Sequence, residues 1–97
     1  MQISVRFFTA LREITGKKEE TLKFKDDQPA TISFVLDVLT KRYGKDFFEY
    51  VFDRRGGQVR SFLQFLVNGR SASTFDGLET KLTDGDVLAI IPPVGGG

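Results

Sequence analysis

The residues with the most chemical potential stand at the end of the chain, in Ile90-Ile91-Pro92-Pro93-Val94-Gly95-Gly96-Gly97. Two β-branched residues close a predicted strand. The two prolines stop it, because neither can donate a ladder hydrogen bond. The three glycines that follow carry no side chains, so the segment is thin and its backbone can adopt almost any φ/ψ. It closes on a carboxylate, an anion at neutral pH with an ordinary pKa near ~3.5. Anionic and resonance-stabilised, that group is a poor electrophile until it is activated. The chemistry on offer is acyl chemistry at Gly97, performed wherever a slim tail can be inserted into another protein's narrow channel. A frayed end is the ordinary alternative for such a segment.

The composition excludes most other chemistry. The chain has 97 residues, with no cysteine and no histidine. There is then no disulfide, no thiolate nucleophile and no Cys/His zinc or iron–sulfur site. The usual Ser-His-Asp and Cys-His arrangements lack their base. No metal site is expected. Fourteen basic residues against thirteen acidic ones leave a net charge of +1, too little for a broad attraction to nucleic acid or anionic lipid. No apolar run approaches the roughly 20 residues of a membrane span. The start of the chain alternates like a strand and does not read as a signal peptide. A cytoplasmic setting is expected.

The elements that must position the tail follow from periodicity. Met1 to Phe8 alternates, with Ile3, Val5 and Phe7 on one face and Gln2, Ser4, Arg6 and Phe8 on the other. Thr9 to Lys18 reads as a turn region around Gly16. Glu20 to Lys25 alternates again, with Leu22 and Phe24 inward, so the two strands form an antiparallel hairpin. Thr31 stands at a helix N-cap; Ile32, Val35, Leu36, Leu39 and Tyr43 follow at helical spacing, and Gly44 is the C-cap candidate. Phe34 and Val38 widen the apolar stripe. Asp46 to Phe52 suggests a short second helix, and Asp53 to Gln58 a polar loop. Phe62 to Val67 is a strand, Asn68-Gly69 a type I′ turn, and Arg70 to Ala72 a short return strand. Ser73 to Thr83 reads as irregular, anchored by Leu78 and Leu82. Asp84-Gly85-Asp86 turns the chain into a last strand, Val87 to Ile91.

This order predicts an α+β domain over residues 1–94: a mixed sheet on one main helix, followed by a flexible glycine tail at 95–97. A right-handed crossover places a later strand parallel to the first. The layout expected is a β-grasp, ubiquitin-like one, with the last strand mid-sheet.

Several stretches together resemble the small, sulfur-carrying subunit of molybdopterin synthase, within the ubiquitin-like sulfur carriers. They are Val5 to Glu13 (VRFFTALRE), Val67-Asn68-Gly69-Arg70, Asp76 to Asp86 (DGLETKLTDGD) and Pro92-Pro93-Val94 before the glycines. There are two departures. The tail carries three glycines where the family usually ends on two, and Asp46 to Arg60 is longer than in the shorter members. The resemblance implies a partner similar to ubiquitin-activating enzymes, an adenylyltransferase that uses ATP and magnesium on the terminal carboxylate. Sulfur then replaces AMP, giving a thiocarboxylate at Gly97. The tail, Gly95 and Gly96 included, enters the large subunit of the synthase and delivers sulfur to a pterin precursor. The chain would bind no cofactor itself and would have no catalysis of its own. A protein modifier joined to lysines through Gly97, a plain ubiquitin-like interaction module, and a carrier for thiamine or tRNA sulfur are the alternatives.

Other residues complete the reading. Phe8, Leu66, Ala89 and Ile91 fall on the sheet face opposite the helix if the alternation holds, and an exposed apolar patch there marks a docking surface. The competing expectation is that Asp46 to Arg60 folds back over it. Pro92 and Pro93 stiffen the tail's exit, which lowers the entropy lost on binding, and Val94 and Gly95 join them as expected partner-binding residues. Arg12, Arg54, Arg55, Arg60 and Arg70 read as a solvated face, and Glu13, Glu19 and Glu20 as surface charges.

Overall fold

A computed structural model describes residues 1–93. The elements are β1 (Gln2–Phe7), α1 (Ala10–Thr15), β2 (Glu19–Lys23), β3 (Ala30–Thr31), α2 (Ile32–Tyr43), α3 (Lys45–Val51), β4 (Gln64–Val67), β5 (Arg70–Ser71), β6 (Lys81–Leu82) and β7 (Val87–Ile91). Among the described residues the main sheet has five strands in the order β2-β1-β7-β4-β5. β7 is parallel to β1 and antiparallel to β4, so the last strand is central, as expected.

Alternation and helical spacing account for the core. Ile3, Val5 and Phe7 of β1, Leu88 and Ile90 of β7, and Ile32, Val35, Leu36 and Leu39 of α2 are all fully buried against one another. Burying a side chain of this size stabilises the fold by roughly 1.5–3 kcal/mol. α2 starts where the cap chemistry places it: Thr31 is extended, and its hydroxyl accepts from Phe34 N–H at 3.1 Å. α3 is also present; it turns Phe47 and Val51 into the core and packs at the end of α2.

Five expectations are corrected. Residues 9–18 are more than a turn, because α1 occupies Ala10–Thr15 and buries Leu11. A six-residue helix offers too few turns for periodicity to show. Residues 73–83 are not irregular throughout. They hold 3₁₀ turns at Ala72–Thr74 and Gly77–Glu79, then β6, which pairs with β3 as a separate two-stranded sheet. The second strand runs from Glu19 to Lys23; Phe24 lies past its end, half-buried against Phe34. The return strand stops at Ser71.

Glu20 is the fifth correction. It is not a surface charge; its side chain is only 4% exposed. It accepts from Lys17 Nζ at 2.9 Å, from the Arg42 guanidinium and from the Tyr43 hydroxyl. These contacts tie the β1–β2 hairpin to the last turn of α2, where Tyr43 also meets the edge of Phe7. Burial pushes the Glu20 carboxyl up, but the hydrogen bonds from Tyr43 and Lys17 and the charge of Arg42 together hold it below its ordinary value. A depressed folded-state pKa contributes stability above the unfolded value, and that stability is lost as pH falls through the folded one. The wild type should therefore lose more stability than Glu20→Gln on acidification from neutrality to below the ordinary carboxylate range. At neutral pH the variant should be weaker by on the order of 2 kcal/mol, the worth of a hydrogen bond to a charged group. Urea unfolding of both chains at a series of pH values measures this, and parallel curves would contradict it.

Candidate functional site

The site is built on the exit of β7. Ile90 pairs with Phe7 on one side and Phe65 on the other, and Ile91 pairs with Gln64. Both flanks of the strand are therefore held almost to its last residue. Pro92 is buried and Pro93 exposed. The chain thus leaves the sheet between the end of β1 and the start of β4. Pro92 is packed as well as stiff, which the sequence does not show. Val94, Gly95, Gly96 and Gly97 lie outside the described residues.

Strand register decides what surrounds this exit. Leu66 lies opposite Ala89, and Arg6 lies opposite Ala89 from the other side. Side chains of one parity share a face. Leu66, Ala89 and Ile91 thus form a continuous strip on the face away from α2, and all three are half-buried. Phe8, just past the end of β1, continues the alternation and is also half-buried. Asp46 to Arg60 does not fold back over this strip. α3 packs against α1 and α2, and Arg60 secures the segment by donating from Nε and Nη2 to the Glu49 carbonyl at 3.3 and 3.0 Å. Arg60 therefore has a structural task.

The rim at the exit is basic. Arg6, Phe8, Arg12, Lys18 and Glu19 line a shallow hollow of about 240 Å³. Arg6 pairs with Glu19 at 3.2 Å. The Arg12 guanidinium lies 5.5 Å from the centre of the Phe8 ring, and its Nε donates to the Phe7 carbonyl at 3.0 Å. Three cations against one carboxylate favour an approaching anion. Arg6, Lys18 and Gln64 were not singled out as site residues from the sequence. Alternation put Arg6 on the correct face, but nothing local showed which strand would lie beside it. Arg54 pairs with Glu49 at 3.5 Å, and Arg70 lies 5.1 Å from the centre of the Phe75 ring; the structure does not bring either to the exit. Arg55 is an exposed residue of the 53–58 loop.

At the far end of β7, Asn68 and Gly69 both have positive φ, as a type I′ turn requires. The Asn68 carboxamide also accepts from Val87 N–H and donates to Asp86, each at 2.9 Å. The turn thereby fixes the start of the strand whose other end carries the tail. No helix among the described residues is long and apolar enough to cross a membrane, and no cluster of three or more potential metal ligands occurs among them.

A mixed sheet with its last strand in the centre, one main helix packed on one face, and an open face leading to a C-terminal exit defines a β-grasp protein of the ubiquitin-like class. The family model named ThiS matches residues 5–97, and the chain belongs to the ThiS family. It is 35% identical over 97 residues, all of both chains, to small archaeal modifier protein 3 of Haloferax volcanii. A protein of Archaeoglobus fulgidus assigned as a sulfur carrier is 33% identical over 72 residues, covering 74% of this chain and 80% of that one. The crystal structure of SAMP1 from Haloferax volcanii superposes with a TM-score of 0.83 at 27% identity, covering both chains fully.

One position beside the exit is strained. Thr9 has φ 48° and ψ −118°, and Leu11 N–H closes the turn onto the Phe8 carbonyl at 3.1 Å. These are the angles of the first central residue of a type II′ turn, a place glycine fills without cost. A β-branched residue there costs on the order of 1 kcal/mol. Thr9→Gly should therefore raise the urea midpoint despite the entropy glycine loses on folding. A lowered midpoint would show that the threonine side chain contributes more than its strain costs.

Proposed function

We propose that this chain is a sulfur carrier whose terminal carboxylate, at Gly97, is adenylated and then thiocarboxylated by a partner enzyme. The observation that carries this reading is the position of the exit. The central strand, anchored on both flanks, leads toward residues 94–97 past an apolar strip and a basic rim. Residues 1–94 act as the body and 95–97 as the tail. Fully extended, the four residues after Pro93 span roughly 13 Å, at ~3.3 Å per residue. That reach places the reacting carbonyl well inside another protein's channel.

The partner's ATP and magnesium supply the activation. The carboxylate attacks the α-phosphorus, pyrophosphate leaves, and a mixed anhydride with AMP forms. Sulfide then attacks the acyl carbon, a C–S bond forming as the C–O bond to AMP breaks, and the thiocarboxylate remains on Gly97. The body contributes no acid, base or nucleophile, so the chain has no catalysis of its own and works in the cytoplasm with its activating enzyme. Leu66, Ala89, Ile91 and Phe8 provide the apolar docking face, with Pro92, Pro93 and Val94 setting the direction of the tail. The motifs shared with the small subunit of molybdopterin synthase favour that enzyme's large subunit as the acceptor, with delivery of sulfur to a pterin dithiolene.

A second reading is favoured by one observation, the full-length similarity to a small archaeal modifier protein. The same activated Gly97 carbonyl would then be passed to lysine amines.

Intact-mass analysis of the chain from its native cell separates the two. A carrier shows a species about 16 mass units heavier, one oxygen replaced by sulfur in a thiocarboxylate that acts as a sulfur nucleophile. A modifier shows conjugates heavier by whole proteins, and neither species would overturn both readings. Gly96→Ala should reduce thiocarboxylate yield at least about tenfold by narrowing the fit in the channel, without changing the unfolding midpoint. Leu66→Asp should keep the fold and lose the complex with the activating enzyme. Retention of that complex would remove the apolar strip from the docking face.

A further inference from the structure

A cavity of about 380 Å³ opens between β4 and the turns that follow β5. It exists because β5 ends early. That strand pairs with β4 only through Val67–Arg70 and Leu66–Ser71. Ser71 then caps a 3₁₀ turn, its hydroxyl accepting from Ser73 N–H at 3.3 Å, and the chain leaves the sheet at Ala72. The opposite wall is the turn before β4, where Leu63 N–H donates to the Arg60 carbonyl at 3.2 Å. Leu78, in the second 3₁₀ turn, completes the lining. Leu63, Phe65 and Ala72 are buried and Leu78 is half-buried, so the deeper part of the cavity is apolar.

The polar part of the lining holds Arg60 and three serines and no carboxylate. The Ser71 and Ser73 hydroxyls lie 2.8 Å apart. One hydrogen fills that gap, and the hydrogen of the second hydroxyl remains to donate. The Arg60 guanidinium is fixed by the Glu49 carbonyl, which takes Nε–H and one N–H of Nη2. Both hydrogens of Nη1 are left over. Arg6, Arg42 and Arg54 each pair with a carboxylate, and Arg60 pairs with none among the described residues. The Glu49 carboxylate is itself taken by Arg54 at 3.5 Å and Lys45 at 3.8 Å. Arg60 is therefore a positioned cation whose charge has no partner, at the wall of an apolar hollow.

We propose that this cavity binds a small molecule with a flat apolar body and one carboxylate. The body would rest on Leu63, Phe65, Ala72 and Leu78. The carboxylate would take N–H from Arg60, with the serine hydroxyls as further donors. The volume lies in the ordinary range for small-molecule sites, roughly 300–1,000 Å³. One cation offsets one negative charge, which favours a carboxylate over a phosphate ester carrying nearly two. Gln64 also lines the cavity and is the register partner of Ile91, so the ligand would sit one strand from the tail's exit. The site does not depend on the tail chemistry.

The full chain, labelled with ¹⁵N, is titrated with cinnamate, with its amide cinnamamide and with phenyl phosphate. Cinnamate should bind saturably in the millimolar range, with shifts at the Ser61, Leu63, Ser73 and Leu78 amides. Cinnamamide should bind about tenfold more weakly, the worth of a hydrogen bond to a charged group. Phenyl phosphate should bind no more tightly than cinnamate. Arg60→Gln should erase the difference between acid and amide. Ser73→Asp changes an exposed residue and should leave the fold intact. It should weaken cinnamate about fivefold and leave cinnamamide unchanged, which keeps the test decisive if loss of Arg60 loosens α3. Absence of saturable binding, equal affinity for acid and amide, tighter binding of phenyl phosphate, unchanged affinity in the folded variants, or shifts confined to Arg6, Arg12 and Lys18 would overturn the proposal.

Discussion

The structure depends on the double pairing of β7. This strand accepts and donates hydrogen bonds on both sides, to β1 in parallel and to β4 in antiparallel register. Its inward residues Leu88 and Ile90 are fully buried. A tail drawn into another protein would pull on whatever holds it. A strand at the edge could peel away one bond at a time, whereas a central strand must break two ladders together. Among the described elements β7 is therefore the one least able to leave the body.

The rest of the architecture supports that placement. α2 covers one face of the sheet, so the opposite face of β7 can remain open with Leu66 and Ala89 side by side. Asn68 and Asp86 clamp the strand's start, and Pro92 closes its end. The small sheet of β3 and β6 fixes the beginning of α2, where Thr31 both pairs with Lys81 and caps the helix. Glu20 does the same at the other end of α2 by gathering Lys17, Arg42 and Tyr43. The helix is thus tied to the sheet at both ends by polar contacts and along its length by apolar ones.

The exit presents the half-buried side chains of Leu66, Ala89 and Ile91 beside a basic rim of Arg6, Arg12 and Lys18.

Local sequence determined the elements with strong periodicity or specific turn chemistry. Alternation defined β1, the Asp84-Gly85-Asp86 turn and the apolar run after it defined β7, helical spacing defined α2, and Asn68-Gly69 and Thr31 marked a turn and a cap, because each signal is carried within a few consecutive residues. The Gly-rich terminus and the apolar parity of Leu66, Ala89 and Ile91 were legible in the same way. Only the tertiary structure decided what stands beside what. α1 was hidden because six residues give too little periodicity, and β3 and β6 because two-residue strands exist only through their partner. Glu20 looked like any surface glutamate, since its burial depends on cations and a phenol brought in from α2 and the hairpin turn. Arg6, Arg12 and Lys18 become one basic rim through the packing of β1, α1 and β2, a property of pairs of segments that neither segment carries alone.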